Sequence, residues 1–472
     1  MYNPKSLKAE EFISHEEILS TLEYAEAHKN NAALVDEILA KAEQRQGLSY
    51  REASVLLACE LEDKNAKIYA LAEQIKKDFY GNRIVLFAPL YLSNYCVNGC
   101  VYCPYHAKNK HIARKKMTQD EVRREVIALQ DMGHKRLAIE AGEDPVNNPI
   151  EYILECIKTI YGIKHKNGAI RRVNVNIAAT TVENYRKLHE AGIGTYILFQ
   201  ETYHKESYEK LHPTGPKHNY AWHTEAMDRA MEGGIDDVGL GVLFGLEMYK
   251  YEFAGLLMHA EHLEAVHGVG PHTISVPRIR AADDIDPASF DNGIDDDTFA
   301  KIVACIRIAV PYTGMIVSTR ESQASRERVL HLGISQISGG SKTSVGGYAE
   351  PEPAAENSAQ FDVSDTRTLD EVIRWLMSMD YLPSFCTACY REGRTGDRFM
   401  ALCKSKQIQN CCHPNALMTL KEYLVDYASP ETKELGMALI KKELHNIPKE
   451  KVRDIVVERL EKIENGDRDF RF

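Results

Sequence analysis

The sequence predicts a (β/α)8 barrel of the TIM type, and two observations carry this prediction. From residue 81 onward, short apolar runs alternate with charged segments of helical periodicity, which is the rhythm of buried parallel strands joined by helices. The number of these runs favours a closed barrel over a doubly wound open sheet, which has the same local pattern. The eight runs are RIVLFAPLYLS, RLAIEAGED, RRVNVNIAAT, GTYILFQETY, DDVGLGVLFGL, HTISVPRI, GMIVSTRE and GISQISGG.

The segment that precedes the barrel, residues 1–80, is predicted to be helical. Apolar residues recur at spacings of three and four in EEILSTLEYAEAHKNNAALVDEILAKAEQ. Ser49 and Glu52 then form a predicted capping box at the start of the next helix. A further helical pattern ends at Gly81, where the first apolar run begins.

Beyond the eighth run, the stretch from Tyr348 to Thr366 is rich in Pro, Ala, Ser and acidic residues, which predicts an exposed loop or linker. Residues 368–379 are predicted to form the eighth barrel helix. From Tyr381 onward, a cysteine-bearing segment is followed by two or three predicted helices. We therefore expect three domains: a helical extension (1–80), the barrel (81–380) and a mostly helical C-terminal domain (381–472).

Composition excludes several classes of partner. The net charge is −11 and the basic residues are spread along the chain, so neither nucleic acid nor an anionic membrane is expected to bind. No apolar run approaches the roughly 18 residues of a membrane span, and the N-terminal MYNPKSLKAEEF does not resemble a signal peptide. We expect a cytoplasmic protein, in which 11 cysteines are first of all candidate metal or redox ligands.

Three of these cysteines, Cys96, Cys100 and Cys103, follow the first predicted strand with the spacing C-x3-C-x2-C. A barrel places this loop at the catalytic, C-terminal face of its strands. Three thiolates bind three irons of a cubane cluster and leave the fourth iron open to bind and activate another molecule. The alternative is a zinc site completed by His106 or His111.

This cysteine motif, with Tyr102 before its last cysteine, resembles that of the radical S-adenosylmethionine (SAM) superfamily. The resemblance implies a [4Fe–4S] cluster whose open iron binds the amine and carboxylate of SAM, and cleavage of SAM to a 5′-deoxyadenosyl radical. The sequence Ala141-Gly142-Glu143 stands where the superfamily has Gly-Gly-Glu, which implies that Glu143 holds the SAM amine.

Two further residues are candidate SAM contacts by the same resemblance. Glu201, at the end of the fourth run, resembles a group that contacts the ribose or amine of SAM, and Arg229 is a candidate for the SAM carboxylate. The alternative for Glu143, Glu201 and Arg229 alike is an ordinary charge or ion pair at the barrel rim.

A second three-thiolate set lies near the C-terminus. Cys386 and Cys389 form a C-x2-C pair, and Cys412 follows 22 intervening residues later. From spacing alone, this set fits an iron–sulfur cluster or a structural zinc site completed by a further cysteine or His413.

The C-x2-C-x22-C set resembles that of the tyrosine lyases of [FeFe]-hydrogenase maturation. The motifs GIDDVGLGVLFGL, GPHTISVPRIRAADD, VSTRE and SGGSKTSVGGY are also similar to those of the thiazole-pathway tyrosine lyases, which lack the second cysteine set. The resemblance implies that Cys386, Cys389 and Cys412 bind an auxiliary [4Fe–4S] cluster linked to a labile iron. That iron would also be held by free L-cysteine and by His272, with His267 as the alternative, whereas Cys403 and Cys411 have no role in the pattern.

Arg320, in VSTRE, is the candidate substrate residue, since a guanidinium pairs bidentately with an amino-acid carboxylate. The alternative is a rim pair between Arg320 and Glu321, and Ser341 in SGGSKT is a second candidate contact. The resemblance implies cleavage of the Cα–Cβ bond of L-tyrosine to p-cresol and dehydroglycine. Dehydroglycine would become CO and cyanide in an Fe(CO)2(CN)–cysteine synthon for the hydrogenase H-cluster, or, in the alternative, would be released for thiazole synthesis.

The same resemblance implies the partners. These are the small molecules L-tyrosine, SAM and free cysteine, an electron donor such as ferredoxin or flavodoxin, and the other hydrogenase maturation proteins.

Overall fold

The predicted barrel is confirmed in the computed structural model, which describes residues 1–349 and 358–472. Eight parallel strands form one sheet, and pairing of Leu86 with Ile337 joins the last strand to the first. The eight strands are β1 (Arg83–Ser93), β2 (Arg136–Ala141), β3 (Arg172–Asn176), β4 (Tyr196–Ile197), β5 (Val238–Gly241), β6 (Thr273–Ser275), β7 (Gly314–Val317) and β8 (Gln336–Ser338). The middle of the predicted linker, residues 350–357, lies outside the described residues.

Helices separate the strands and cover the outside of the barrel. Between β4 and β5 the connection contains three short helices, and a two-residue hairpin (Lys164–His165 with Gly168–Ala169) follows the second barrel helix. The barrel helices are Gln119–Asp131, Ile150–Gly162, Val182–Glu190, Lys205–Leu211, Tyr220–Thr224, Ala226–Glu232, Tyr249–His267, Asp296–Ala309, Gln323–Leu332 and Leu369–Ser378. Single 3-10 turns lie at Pro216–His218 and Pro287–Ser289.

The N-terminal extension is helical, as predicted. Its helices pack on the outside of the barrel, against Tyr249–His267 and Asp296–Ala309. The capping box is present, because the Ser49 side chain accepts from the Glu52 main chain while the Glu52 carboxylate accepts from Ser49. The helices of the extension are Ala9–Phe12, His15–His28, Ala32–Ala42, Tyr50–Ala58 and Glu62–Tyr80.

The C-terminal segment begins with a strand that the sequence pattern did not predict. Strand β9 (Leu382–Ser384) runs parallel to the first three residues of β1, with Arg83 opposite Leu382. Two short helices lie within the cysteine-bearing segment, and three longer ones complete the chain. These helices are Ala388–Arg391, Gly396–Lys404, Gln409–Asp426, Pro430–Leu444 and Glu450–Glu464. Within the described part of the chain, none of the helices has the length and apolar character that a membrane span requires.

A buried ionic cluster joins the C-terminal helix Gln409–Asp426 to the lower end of the barrel, where the strands begin. The carboxylate of Glu422 lies 3.3 Å from Nζ of Lys135 and 2.9 Å from a guanidinium nitrogen of Arg171, just before β2 and β3 respectively. Neither Lys135 nor Glu422 exposes any of its side chain. Because a buried charge is costly without its partner, this cluster fixes the helix beneath the barrel.

The substitution Glu422→Gln keeps the side-chain volume but leaves the two cations without their shared carboxylate. We expect it to lower the free energy of unfolding by about 3–5 kcal/mol, which is the cost of breaking a buried ion pair. Urea unfolding followed by circular dichroism measures the change. Glu461→Gln, at an exposed position of the last helix, is the control and should leave stability unchanged; equal stability of both variants would contradict the argument.

Candidate active site

The loop after β1 brings its three cysteines to the wall of a cavity at the upper end of the barrel, where the strands end. Cys96, Cys100 and Cys103 line this cavity, whose volume is about 1070 Å³. Burial raises the pKa of Cys100 to about 12 and raises the pKa of the other two thiols as well. Such thiols keep their protons unless a metal replaces them, so this donor set suits metal ligation better than nucleophilic catalysis.

The conformation of the cysteine loop is fixed from outside by residues 211–217. The main-chain N–H of Gly99 donates to the carbonyl oxygen of Thr214 (2.9 Å), and that of Lys217 donates to the Asn98 side chain (2.9 Å). A Cβ on Gly99 would lie 2.3 Å from Oγ1 of Thr214, so a side chain at this position would force the Thr214 hydroxyl to rotate away. Local sequence patterns do not identify Asn98 or Lys217, because the partners of these residues lie far away along the chain.

Glu143 lies in the cavity wall, and the close contact of the preceding Gly142 holds it against the cysteine loop. A Cβ on Gly142 would lie 2.4 Å from the carbonyl oxygen of Tyr95 and 3.0 Å from Cβ of Cys96. The Asn98 amide donates to the Glu143 carboxylate (2.6 Å). Burial raises the pKa of Glu143, and this hydrogen bond opposes the rise. Ala141 is the last residue of β2, and the close contact with the cysteine loop is made by Gly142. Alanine at position 141 is therefore compatible with the tight turn.

Glu201 also lines the cavity, and its backbone is strained. Its φ angle is 68°, in the left-handed region that a residue with a side chain rarely adopts. The carboxylate of Glu201 lies 2.8 Å from Nζ of Lys217, which lines the same cavity. Burial lowers the pKa of Lys217, but the charge and hydrogen bond of Glu201, together with Cys100 and Cys103, raise it above its ordinary value. Strain of this kind is typical of functional sites, and it supports a ligand-binding role for Glu201.

Below the cysteines, the cavity continues into a chamber of about 680 Å³ inside the barrel, which we call the lumen chamber. Arg320 lines both spaces, and its guanidinium lies 3.7 Å from the centre of the Phe361 ring. The alternative pairing with Glu321 is wrong, because that carboxylate instead binds Arg278 and Arg280. Five residues line both the upper cavity and the lumen chamber: Glu140, Asn176, Phe199, Arg320 and Gln360.

Two predicted contacts lie elsewhere. The Arg229 guanidinium donates to the carbonyl oxygens of Thr180 (3.0 Å) and Trp222, and it stacks on the Trp222 ring. These hydrogen bonds hold the loop after β3. Arg229 does not line the upper cavity. Ser341 follows β8 but lies outside both spaces, with a buried hydroxyl that has no hydrogen-bond partner among the described residues. Proximity to a strand end did not suffice to place either side chain.

The second cysteine set lines another cavity, of about 740 Å³, at the lower end of the barrel. Cys386, Cys389 and Cys412 meet there with His272, which immediately precedes β6. Cys403 lines the same cavity. The alternative ligand, His267, lies at the end of a helix, where its Nε2 is 2.8 Å from the carboxylate of Asp228. The structure therefore brings the predicted ligands together and favours His272 over His267. Three arginines at strand starts complete the wall: Arg83, Arg136 and Arg172.

None of the histidines suggested for zinc lines either of the two cysteine cavities. His106 pairs with Asp284 (3.2 Å), His111 is exposed, and His413 contacts the carbonyl oxygen of Glu443 (3.1 Å). Among the residues that the structure describes, no three His, Cys, Asp or Glu side chains converge on the position of a single metal ion. An iron–sulfur cluster binds each thiolate through a different iron, so wider spacing of its ligands is compatible with a cluster.

Comparison with known proteins agrees with this geometry. Residues 90–257 match the Radical SAM superfamily model, and residues 275–382 match the Biotin and Thiamin Synthesis associated domain. The chain is 30% identical to 2-iminoacetate synthase of Escherichia coli over 66% of its own length and 80% of that protein.

Two solved structures are similar over nearly the whole chain. A crystal structure of HydG, described as a maturase of the [FeFe]-hydrogenase, is 57% identical, with a TM-score of 0.94, over 98% of this chain and 100% of that one. HydG from Carboxydothermus hydrogenoformans is 38% identical, with a TM-score of 0.83, over 96% of this chain and 99% of that one.

The closed barrel and the three-cysteine loop at its upper end define a radical SAM enzyme, for which SAM and a [4Fe–4S] cluster are the implied cofactors. Within that superfamily, the chain belongs to the HydG family.

The contact of Gly142 with the cysteine loop gives a test of the upper site. In Gly142→Ala, the added Cβ must displace the main chain of Tyr95 and Cys96. Because a misplacement of about 1 Å costs on the order of 10²-fold in rate, we expect reductive SAM cleavage by the reconstituted protein to fall by that factor. Gly162→Ala is the matched control, since nothing lies within 4 Å of its added Cβ. Equal rates for the two variants would show that the contact has no role.

Proposed function

We propose that this chain is a radical SAM tyrosine lyase that converts part of its substrate into CO and cyanide for the hydrogenase cofactor. The observation that carries the proposal is the presence of two three-cysteine cavities at opposite ends of one barrel. The similarity to HydG and to 2-iminoacetate synthase supports the same chemistry.

At the upper cavity, Cys96, Cys100 and Cys103 would hold the [4Fe–4S] cluster, and Glu143 and Glu201 would hold SAM. Together, the bound cluster and SAM supply the one-electron chemistry that begins with removal of a hydrogen atom from the substrate. Leu243 and Ile279 form an apolar wall beside Cys100, which would limit the access of water on that side of the cluster.

The lumen chamber fits an aromatic amino acid. Arg320 would bind the carboxylate of L-tyrosine, and apolar side chains would surround its ring. Burial lowers the pKa of Arg320, so an incoming carboxylate that offsets the desolvation cost would bind well there. The apolar lining residues of the chamber include Phe87, Ile197, Phe199, Ile316 and Phe361.

At the lower cavity, Cys386, Cys389 and Cys412 would hold the auxiliary [4Fe–4S] cluster, and His272 together with free L-cysteine would hold the labile iron. Each dehydroglycine from the lumen chamber would be converted there to one CO, one cyanide and water. Two turnovers would therefore supply the ligands of one Fe(CO)2(CN)–cysteine unit and leave one cyanide over. The electron donor, such as ferredoxin or flavodoxin, and the other maturation proteins are partners under this proposal. Release of dehydroglycine for thiazole synthesis would leave the lower cavity without a function.

Anaerobic turnover of 13C-labelled L-tyrosine tests the proposal. The reconstituted protein should form p-cresol together with infrared bands of iron-bound 13CO and 13CN. Cys386→Ser should still form p-cresol but lose these bands, because only the lower cluster loses a ligand. Cys411→Ser is the control, since Cys411 adjoins Cys412 but does not line the cavity. Bands of full intensity in Cys386→Ser would refute the role of the lower cavity, and absence of p-cresol from the unmodified protein would refute the lyase.

Glu140 gives the substrate site a predicted pH dependence. Burial raises the pKa of Glu140 to about 8, although Asn176 and Arg320 oppose the rise. The carboxyl group is therefore neutral at pH 7, and Arg320 is free for the substrate carboxylate. As the pH rises from about 7 to about 8.5, the Glu140 carboxylate forms and competes for the guanidinium, so KM for tyrosine should rise roughly fourfold with little change in kcat.

The variant Glu140→Gln cannot ionise and is the direct control. Its KM for tyrosine should remain constant between pH 7 and 8.5. A rise of the same size in this variant would assign the effect to the substrate amine or to another group.

A further inference from the structure

A chain of polar side chains crosses the wall of the lower cavity and ends at His272. A guanidinium nitrogen of Arg172 donates to Oγ1 of Thr195 (2.6 Å), which lies 3.2 Å from the hydroxyl of Tyr390. That hydroxyl lies 3.0 Å from Nε2 of His272, and Nδ1 of His272 lies 3.3 Å from Oδ1 of Asp237. All five side chains are largely or completely buried.

The Asp237 end of this chain favours one direction for its hydrogen bonds. The Arg172 guanidinium only donates, so the Thr195 hydroxyl accepts there and its own proton is available for Tyr390. The Asp237 carboxylate only accepts, so its charge, 3.3 Å from Nδ1 of His272, favours the tautomer with the ring proton on that nitrogen, although the contact lacks the geometry of a full hydrogen bond. With the proton on Nε2 instead, a lone pair on Nδ1 would face the carboxylate. The consistent arrangement therefore has the Tyr390 hydroxyl donating to the lone pair of Nε2.

A lone pair on one ring nitrogen, with the other nitrogen held by a carboxylate, is the state in which histidine binds a metal ion. We propose that Asp237 is a positioning residue that keeps His272 in this state, and that the Tyr390 hydroxyl holds Nε2 until a metal ion in the lower cavity displaces it. The inference rests on the proposed function, in which His272 is a ligand of the labile iron. It adds the two residues that prepare this ligand.

The position of Tyr390 makes the displacement feasible. Tyr390 and Arg172 line the lower cavity and also a groove of about 950 Å³ on the outside of the barrel. The Arg172 guanidinium lies 2.9 Å from the centre of the Tyr390 ring, so this pair forms the partition between the two spaces. A Tyr390 side chain that leaves His272 thus has open space on its other side.

Ferrous iron binding by the reconstituted holoprotein tests the inference. The variants are dialysed anaerobically against Fe2+, and iron is counted beyond that of the two clusters. Asp237→Asn retains an oxygen that can accept from the main-chain N–H of Gly396 (3.1 Å in the native protein), so we expect the fold to be conserved. The variant loses the negative charge that favours the proton on Nδ1 of His272. We expect its Fe2+ affinity to fall by about 10–100-fold, the usual effect of losing such a partner.

Two further variants separate positioning from a structural effect. Asp236→Asn changes the exposed neighbour, which contacts Thr395 (2.7 Å), and should bind Fe2+ as the unmodified protein does. Tyr390→Phe removes the competing donor and should bind Fe2+ equally well or more tightly. If the Fe2+ affinity of Asp237→Asn is unchanged, the inference is wrong. It is also wrong if Tyr390→Phe loses as much Fe2+ affinity as we expect for Asp237→Asn. Either result would leave the proposed function intact. Absence of additional iron from the unmodified protein would overturn both.

Discussion

The length and pairing of strand β1 determine where both cysteine sites lie. Its 11 residues pair with β9 at the start and with β2 toward the end, and β8 joins it in between to close the barrel. Arg83 at its beginning lines the lower cavity, and Ser93 at its end leads into the cysteine loop. At about 3.3 Å per residue, the strand separates the two sites by roughly 33 Å. Because the strand is held on both edges, neither site can move relative to the other without opening the barrel.

The lower cavity contains several buried cations. At the lower end, Arg136 is buried beside Arg172, and its direct hydrogen bond is to the neutral side chain of Gln336 (3.2 Å). Burial, followed by the neighbouring Arg172 charge, lowers the pKa of Arg136 to about 9. Buried cations need a compensating negative charge, and thiolates at Cys386 and Cys389 would provide one once a metal has displaced their protons. The arginines and the cysteines of this cavity thus stabilise each other's ionised forms.

Local patterns predicted the parts of the structure that depend on local physics. The eight strands, the capping box at Ser49 and the position of the cysteine loop follow from periodicity and spacing, which neighbouring residues determine. Strand β9 was missed because its three residues become a strand only by pairing with β1, about 300 positions earlier in the chain. Arg229 was misplaced for a related reason, since the carbonyl oxygen of Thr180, far away in sequence, takes its guanidinium. Lys217 has no motif of its own and is recognisable only when it faces Glu201.

The alternation of side chains along the strands explains how two chambers with different chemistry share one barrel. On β1, Val85 lines the lower cavity and Phe87 the lumen chamber, and on β8 the same two-residue step separates Gln336 from Ser338. Successive inward-facing positions therefore belong to successive layers, as in other (β/α)8 barrels. Gly314 has no side chain to contribute to the lower layer, and a Cβ there would lie 2.7 Å from Nε2 of Gln336. Residues two positions apart on the same strand therefore line different chambers, so the floor of the lumen chamber and the roof of the lower cavity come from adjacent layers of one barrel interior.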